Sequence, residues 1–277
     1  MNNIILIDKP INYTSRDVVN IASKVFKTKK VGHFGTLDPL AAGLLVLGIG
    51  KYTKLGNLFS SDTKEYIVDV LVGTSTDTYD ITGNVIEKKN VTLSKEDLVD
   101  TLSSFKKTYL QEVPIYSAVK VNGKKLYEYA RNGEEVKLPK KEVTIYDIEL
   151  LECSNTSFRF KTLVSKGTYI RSLINDISKE LNVPLTMQGL IRTKQDKFLL
   201  DNANTIEELK EGKVNLYDIE DVFSIKKEEI KDEDLKKIIN GNKILRDDDL
   251  IIFTRNNENF VLYKKIDDKY MKPFLYF

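Results

Sequence analysis

Cysteine is nearly absent from the sequence: Cys153 stands alone, so no intramolecular disulfide can form. Histidine is equally scarce, with His33 the only one, and one Cys beside one His makes no soft-metal cluster. Cys153 lies in an alternating stretch and is expected to be a small core residue. No segment approaches the ~18 apolar residues that a membrane span requires, and no charged-then-apolar leader opens the chain. Internal repeats and low-complexity stretches are missing as well. A cytoplasmic protein without a membrane partner is the expectation.

What is present describes an ordinary globular protein. Hydrophobic residues make up 41% and charged residues 30% of 277, enough for a large domain plus a small one. The net charge of +2 says little, but its distribution says more. Residues 1–200 carry 29 Lys and Arg against 23 Asp and Glu, whereas residues 201–277 carry 14 against 18. A polyanion should therefore meet the first two hundred residues, through neutralisation of phosphate by lysine and arginine.

The chain is organised around Gly32-His33-Phe34-Gly35-Thr36-Leu37-Asp38-Pro39-Leu40-Ala41-Ala42-Gly43. Glycine and proline forbid a regular strand here and force a shaped turn. Proline pushes the residue before it toward extended backbone, which holds Asp38 out from the turn. The apolar run Leu44-Leu45-Val46-Leu47-Gly48-Ile49-Gly50 follows and must be buried. A carboxylate at the lip of a buried element is a candidate catalytic group. The bland alternative is that Asp38 caps a helix with Pro39 at its first position.

Gly-His-x-Gly-Thr-Leu-Asp-Pro-x-Ala-x-Gly resembles the catalytic motif of the TruB family of tRNA pseudouridine synthases. Further stretches resemble the same family in the same order. Leu6-Ile7-Asp8-Lys9-Pro10 opens the chain, and Gly50-Lys51-Tyr52-Thr53-Lys54 follows the loop with Tyr52 in place of a small residue. Lys64-Glu65-Tyr66 and Thr76-Asp77-Thr78-Tyr79-Asp80-Ile81-Thr82-Gly83 come next. Tyr116-Ser117-Ala118-Val119-Lys120 leads through Gly123-Lys124-Lys125-Leu126-Tyr127-Glu128-Tyr129-Ala130-Arg131 to an RNA-gripping insertion over about 114–140. Lys166-Gly167-Thr168-Tyr169-Ile170-Arg171 and Leu190-Ile191-Arg192-Thr193 complete the set. Three further departures stand out: Val113 replaces a proline, Ile191 an arginine and Asp196 a glycine.

Local structure can be read alongside. Residues 3–8 form a short buried strand, and Ser15 caps a helix with Val18, Ile21, Ala22 and Val25 on its apolar face. Lys27, Lys29 and Lys30 form a basic approach to the loop. Residues 64–73 alternate as a strand buried on both faces, which by itself makes Tyr66 a core tyrosine. The carboxylates of the 73–83 loop serve to order the backbone. Ser94 starts a helix running to about Phe105, and Asn122-Gly123 marks a hairpin. Strands cover about 142–152 and 157–164. Tyr169 and Arg171 belong to the last extended residues before a helix over 172–181, where they share a face. Beyond about Val222 the register changes, and Lys236-Lys237-Ile238-Ile239-Asn240-Gly241 with two short alternating segments near 250–253 and 260–264 suggests a small β-rich unit.

The resemblance implies an α+β fold: a central mixed, largely antiparallel sheet flanked by helices. It divides the chain into a catalytic domain over 1–222 and a small β-rich, PUA-like domain over 223–277. It also implies isomerisation of uridine 55 in the T-loop of tRNA to pseudouridine. The N1–C1′ bond breaks, the uracil turns over, and C5 bonds to C1′. The target base must be flipped out of its stack, and His33 is implied to fill the vacated space. Asp38 acts as nucleophile or base, with Arg171 as its cationic partner. Tyr66 stacks on the uracil and can receive the C5 proton; Tyr169 and Leu190 complete the pocket. Lys9, Lys124 and Arg131 are implied RNA contacts, with Tyr127 and Tyr129 offering aromatic faces to an RNA loop. Neither cofactor nor metal is required, and a monomer acting on the T-arm stem-loop is the simplest assembly. Guide-dependent relatives lack the insertion, which points to action without guide RNA.

Two other classes compete. A nucleoside or glycoside hydrolase normally uses a second working carboxylate, whereas this loop offers one. A protein that only binds or remodels RNA needs the basic surface and has no use for Asp38.

Overall fold

The computed structural model describes residues 1–58 and 63–277. Its first strands set the core. β1 (Asn3–Lys9) pairs antiparallel with β3 (Ala41–Ile49), from Asn3 opposite Ile49 to Lys9 opposite Gly43. Between them lie α1 (Ser15–Val25) and the short β2 (Val31–His33), which also pairs with β3. Burial of Leu44–Leu47 and Ile49 is essentially complete, as a continuous apolar run demands. The Asp38-Pro39 step starts no helix; it leads directly into β3.

A 3-10 helix (Gly50–Asn57) follows β3, and the central sheet resumes with β4 (Lys64–Val72). Only one face of β4 is fully buried, through Tyr66, Val68 and Val70, while Ile67 and Leu71 are half-buried. The expectation of burial on both faces is corrected accordingly. The 73–83 loop is flanked by a small hairpin, β5 (Thr74–Thr76) with β6 (Val85–Lys88). Helix α2 (Lys95–Ser104) starts at Ser94, whose side chain accepts from Asp97 N–H, and ends at Phe105. β7 (Thr108–Glu112) then joins the sheet edge.

The expected hairpin is present in miniature. β8 (Lys120–Val121) turns into β9 (Lys124–Lys125) through Asn122 and Gly123, with φ of 51° and 82°. Two successive positive φ values are what an Asn-Gly turn between paired strands supplies. α3 (Leu126–Asn132) follows and stops at left-handed Gly133. Val113, in the place of a proline, uses its N–H to bond the Pro139 carbonyl at 3.0 Å, so this departure ties down the root of the insertion.

β10 (Lys140–Cys153), β11 (Ser157–Val164), α4 (Ile170–Leu181), β12 (Leu185–Gln195) and β13 (Phe198–Leu199) close the sheet. Its path is β1-β3-β12-β4-β11-β10-β7, with every pairing antiparallel except β3 with β12. That seam places Leu190 opposite Ala41 and Arg192 opposite Gly43. Gly43 has a φ of 97°, and a Cβ there would stand 2.4 Å from the Arg192 carbonyl oxygen. Only glycine permits that approach. Cys153 falls at the exposed end of β10, so it is no core residue.

α5 (Ile206–Glu211) and α6 (Ile219–Val222) lead to the last unit: β14 (Lys226–Glu229), α7 (Asp232–Ile239), β15 (Ile244–Leu245), β16 (Leu250–Arg255), β17 (Glu258–Lys265) and β18 (Tyr270–Tyr276). These strands make a five-stranded sheet in the order β14-β16-β17-β18-β15, a small PUA-like β unit. It shares a core with the central sheet. Ile252, Leu262 and Leu275 pack in one cluster with Ile4, Leu6, Leu44, Val46 and Tyr52. The Tyr52 hydroxyl bonds the Asp218 carboxylate and its ring meets Phe277 edge-on, so the bulky residue at this position anchors the later chain. No described helix is long and apolar enough to cross a membrane.

Candidate active site

The loop carrying Asp38 is shaped by side chains from distant elements. Ser15 is no cap for α1, a role taken by Thr14 in a capping box with Asp17. Its buried hydroxyl instead accepts from Leu37 N–H at 2.8 Å and donates to the Leu37 carbonyl at 3.1 Å. Asn12 N–H bonds the Pro39 carbonyl at 2.8 Å. Arg192 is fully buried on β12, and its guanidinium donates to the carbonyls of Leu44 (2.7 Å), Gly35 (3.1 Å) and Thr36 (3.5 Å). One guanidinium with five donors can thus satisfy three carbonyls of an irregular buried loop.

Asp38, held by this frame, meets Arg171. The guanidinium Nη2 lies 3.0 Å from Asp38 Oδ2, and Nε lies 3.8 Å from Asp80 Oδ2. The same guanidinium donates to the carbonyls of Tyr116 at 3.2 Å and Thr78 at 3.3 Å. Arg171 and Asp80 are both buried, while the Asp38 side chain keeps 40% of its surface exposed. Asp80 in turn accepts from the Thr78 and Thr82 hydroxyls and from Thr82 N–H, which orders its loop beneath the arginine. A buried cation shared between one enclosed and one open carboxylate leaves the open one to face a ligand.

Arg171 lies one residue inside α4, whose N-cap is Tyr169 with extended φ and ψ of −101° and 113°. The expected placement of Arg171 on extended backbone is therefore corrected. The helix begins two residues sooner because Tyr169 ends the extended segment. The two carboxylates offset the unfavourable meeting of a cation with the positive end of the helix dipole. Both side chains still line a single cleft of about 500 Å³ together with Asp38, Tyr66 and Leu190. Burial pushes the Tyr169 hydroxyl above its ordinary pKa, partly opposed by Arg171, so the ring enters the cleft as a neutral phenol.

Tyr66 reaches this cleft because β4 lies between β12 and β11, with Tyr66 opposite Arg192 on one side and Thr162 on the other. Leu190 arrives from the parallel seam. His33, at the end of β2, is half-buried and does not line the cleft; Phe34 does. Among the described residues the buried Nδ1 of His33 has no hydrogen-bond partner, and burial together with Arg192 and Arg16 lowers the imidazole's pKa.

Lys9, expected at the RNA backbone, is instead fully enclosed. Its ammonium donates to the carbonyls of Tyr13 (2.7 Å) and Pro10 (2.9 Å), and burial lowers its pKa to about 8 against a raising influence from Asp38. Lys124 and Arg131 are on the insertion as expected. Lys124 pairs with Glu134 at 2.6 Å and lies over the Tyr129 ring, and exposed Arg131 lies over Tyr127. Tyr127 also borders the cleft.

Sequence reasoning missed the shaping role of Arg192. It also missed Asp80 as the second carboxylate on Arg171. Asp80 was visible within a quoted motif, but nothing near Arg192 announces carbonyl partners about 150 residues away. Among the described residues no group of three or more His, Cys, Asp or Glu side chains is arranged to hold a metal ion.

The family description "TruB family pseudouridylate synthase (N terminal domain)" matches residues 23–170. A protein called tRNA pseudouridine synthase B in Caldicellulosiruptor saccharolyticus is 44% identical over 249 residues, covering 90% of this chain and 85% of its own. Its namesake in Bacillus cytotoxicus is 38% identical over 285 residues, covering 95% and 92%. Among solved structures, a chain of a Cbf5-Nop10-Gar1 complex superimposes with a TM-score of 0.69 at 23% identity, over 98% of this chain and 83% of its own. A chain of an H/ACA ribonucleoprotein bound to a substrate RNA containing 2'-deoxyuridine gives 0.68 at 21%, over 99% and 83%. These structural likenesses bear on the fold, and the sequence relatives bear on the lineage. The chain belongs to the TruB family of pseudouridylate synthases.

Proposed function

We propose that this protein converts uridine 55 in the T-loop of tRNA to pseudouridine, without guide RNA and as a monomer. The observation that carries the reading is the Asp38–Arg171 ion pair at 3.0 Å in a cleft walled by Tyr66, Tyr169 and Leu190. Isomerisation of uridine needs a flat pocket for the flipped base and an anion beside the ribose. It needs no oxidant and no hydrolytic water.

In this reading the base leaves its stack at a cost of a few kcal/mol and lies between the Tyr66 ring and Leu190. Asp38, as nucleophile or base, promotes cleavage of the N1–C1′ bond. Arg171 fixes the carboxylate and keeps a compensating charge beside it once RNA covers the cleft. The uracil turns over, C5 bonds to C1′, C5 releases its proton and N1 gains one. Tyr66 is the group nearest in kind to receive the C5 proton, directly or through water. His33 supports the RNA loop from beside the cleft, and Lys124 and Arg131 with their tyrosines grip it.

The catalytic domain spans 1–222, and 223–277 forms the PUA-like unit packed on the back of the sheet. The test is pseudouridine mapping on unmodified tRNA and on an isolated T-arm hairpin, each incubated with purified protein and no other RNA. Modification of position 55 in both supports the reading. Release of free uracil would replace it with a hydrolase, and binding without modification would replace it with an RNA-remodelling protein.

A further inference from the structure

Helix α4 carries Arg171 and is capped by Tyr169, which makes no side-chain capping bond among the described residues. The Tyr169 N–H instead donates to Gln111 Oε1 at 2.8 Å. Gln111 lies on β7 and is 1% exposed, so its carboxamide has no water to turn to. Its Nε2 donates to the Tyr109 hydroxyl at 2.9 Å, and that hydroxyl donates to Asp176 Oδ2 at 3.2 Å. Asp176 belongs to α4 itself, two turns beyond Tyr169.

The order of donors in this chain is fixed from one end. A carboxylate can only accept, so Tyr109 donates to Asp176 and accepts from Gln111. The amide nitrogen is then committed, and the amide oxygen is left facing Tyr169 N–H. A flipped amide would set donor against donor at Tyr169 N–H and acceptor against acceptor at the Tyr109 hydroxyl. Beside this chain, the Ser172 hydroxyl donates to the Glu112 carbonyl at 2.8 Å, a second tie between the same strand and the same helix end.

We propose that Gln111 is a positioning residue for the isomerisation: it sets the backbone at Tyr169 and so the direction in which Tyr169 and Arg171 enter the cleft. The inference rests on reading Asp38 and Arg171 as the reacting pair. Gln111 touches neither the cleft nor Asp38, so it acts only through α4. Displacement of a reacting group by about 1 Å can cost on the order of a hundredfold in rate while leaving remote binding contacts intact.

The test measures kcat, KM and tRNA affinity for Gln111→Met, Gln111→Glu and Arg171→Lys on the full chain. Methionine keeps length and burial but offers no acceptor, whereas glutamate keeps the acceptor for Tyr169 N–H. The expected result is a loss in kcat of roughly ten- to a hundredfold for Gln111→Met, with tRNA Kd within about threefold of wild type. Gln111→Glu should recover part of that loss. Unchanged kcat in Gln111→Met overturns the inference, as does an equal loss in kcat, affinity and melting temperature that glutamate fails to relieve. If Arg171→Lys is itself fully active, the reading of the site falls. If Arg171→Lys is impaired and Gln111→Met is not, only the positioning role falls.

Discussion

At the scale of single residues, the site depends on how one guanidinium is shared. Arg171 meets Asp38, Asp80 and two carbonyls at once, which a planar fork allows and a single ammonium does not. Arg171→Lys should therefore lower kcat/KM at least tenfold despite keeping the charge, and steady-state kinetics on unmodified tRNA will show it. Lys9 offers a prediction of a different kind. Its pKa falls from about 10.5 to about 8 because it is buried, so above pH 8 the unfolded chain holds a proton that the folded chain gives up. Stability must then rise with pH between about 8 and 10.5, on the order of 1 kcal/mol per pH unit at most. Below pH 8 Lys9 contributes no slope. Denaturant titrations of wild type and Lys9→Met across that window should diverge in this sense, and parallel curves would contradict the burial argument. Lys9 and Cys153 also show where residue-level reading fails. A lysine at a strand end and a cysteine in an alternating run look exposed and buried respectively. The chain folds Tyr13 over the first and lets β10 run out into solvent with the second.

Elements were more legible where local chemistry dictates them. Asn122-Gly123 announces its turn through two positive φ angles, and Ser94 announces α2 through its cap. Asp196 takes a glycine-like φ of 52° at the β12–β13 turn, so the departure from glycine leaves the turn geometry intact. The start of α4 was less legible, because Tyr169 caps it without a capping side chain and borrows Gln111 from another strand. The α3 insertion lends itself to a test at this scale. Lys124 and Arg131 each lie over a tyrosine, presenting charge and aromatic surface together. Lys124→Ala with Arg131→Ala should weaken tRNA binding by about tenfold and flatten its salt dependence, with kcat little changed. Filter binding at several salt concentrations measures both. An unchanged slope would remove the insertion from the RNA interface.

For the whole molecule, the sequence separates a basic catalytic part from an acidic tail, and the packing joins them. Ile252, Leu262 and Leu275 enter the same core as Ile4, Leu6, Leu44 and Val46. Alternation could mark β16 and β17 as strands but could not say which sheet their buried faces meet. Each of these side chains stabilises by roughly 1.5–3 kcal/mol when buried. A protein ending at Val222 should therefore lose several kcal/mol and melt well below the full chain. Differential scanning calorimetry of the two proteins decides the matter. Equal melting temperatures would mean that the two cores are independent.

The proposed reaction draws on the whole assembly: the loop held by Ser15 and Arg192, the helix bearing Arg171, and the strand bearing Tyr66. The most direct measurement is multiple-turnover pseudouridine formation on unmodified tRNA by Asp38→Asn, beside a binding titration of the same variant. Asparagine keeps the shape and removes the charge, so the account predicts no detectable turnover with tRNA affinity close to wild type. Sustained pseudouridine formation at position 55 by Asp38→Asn would contradict it.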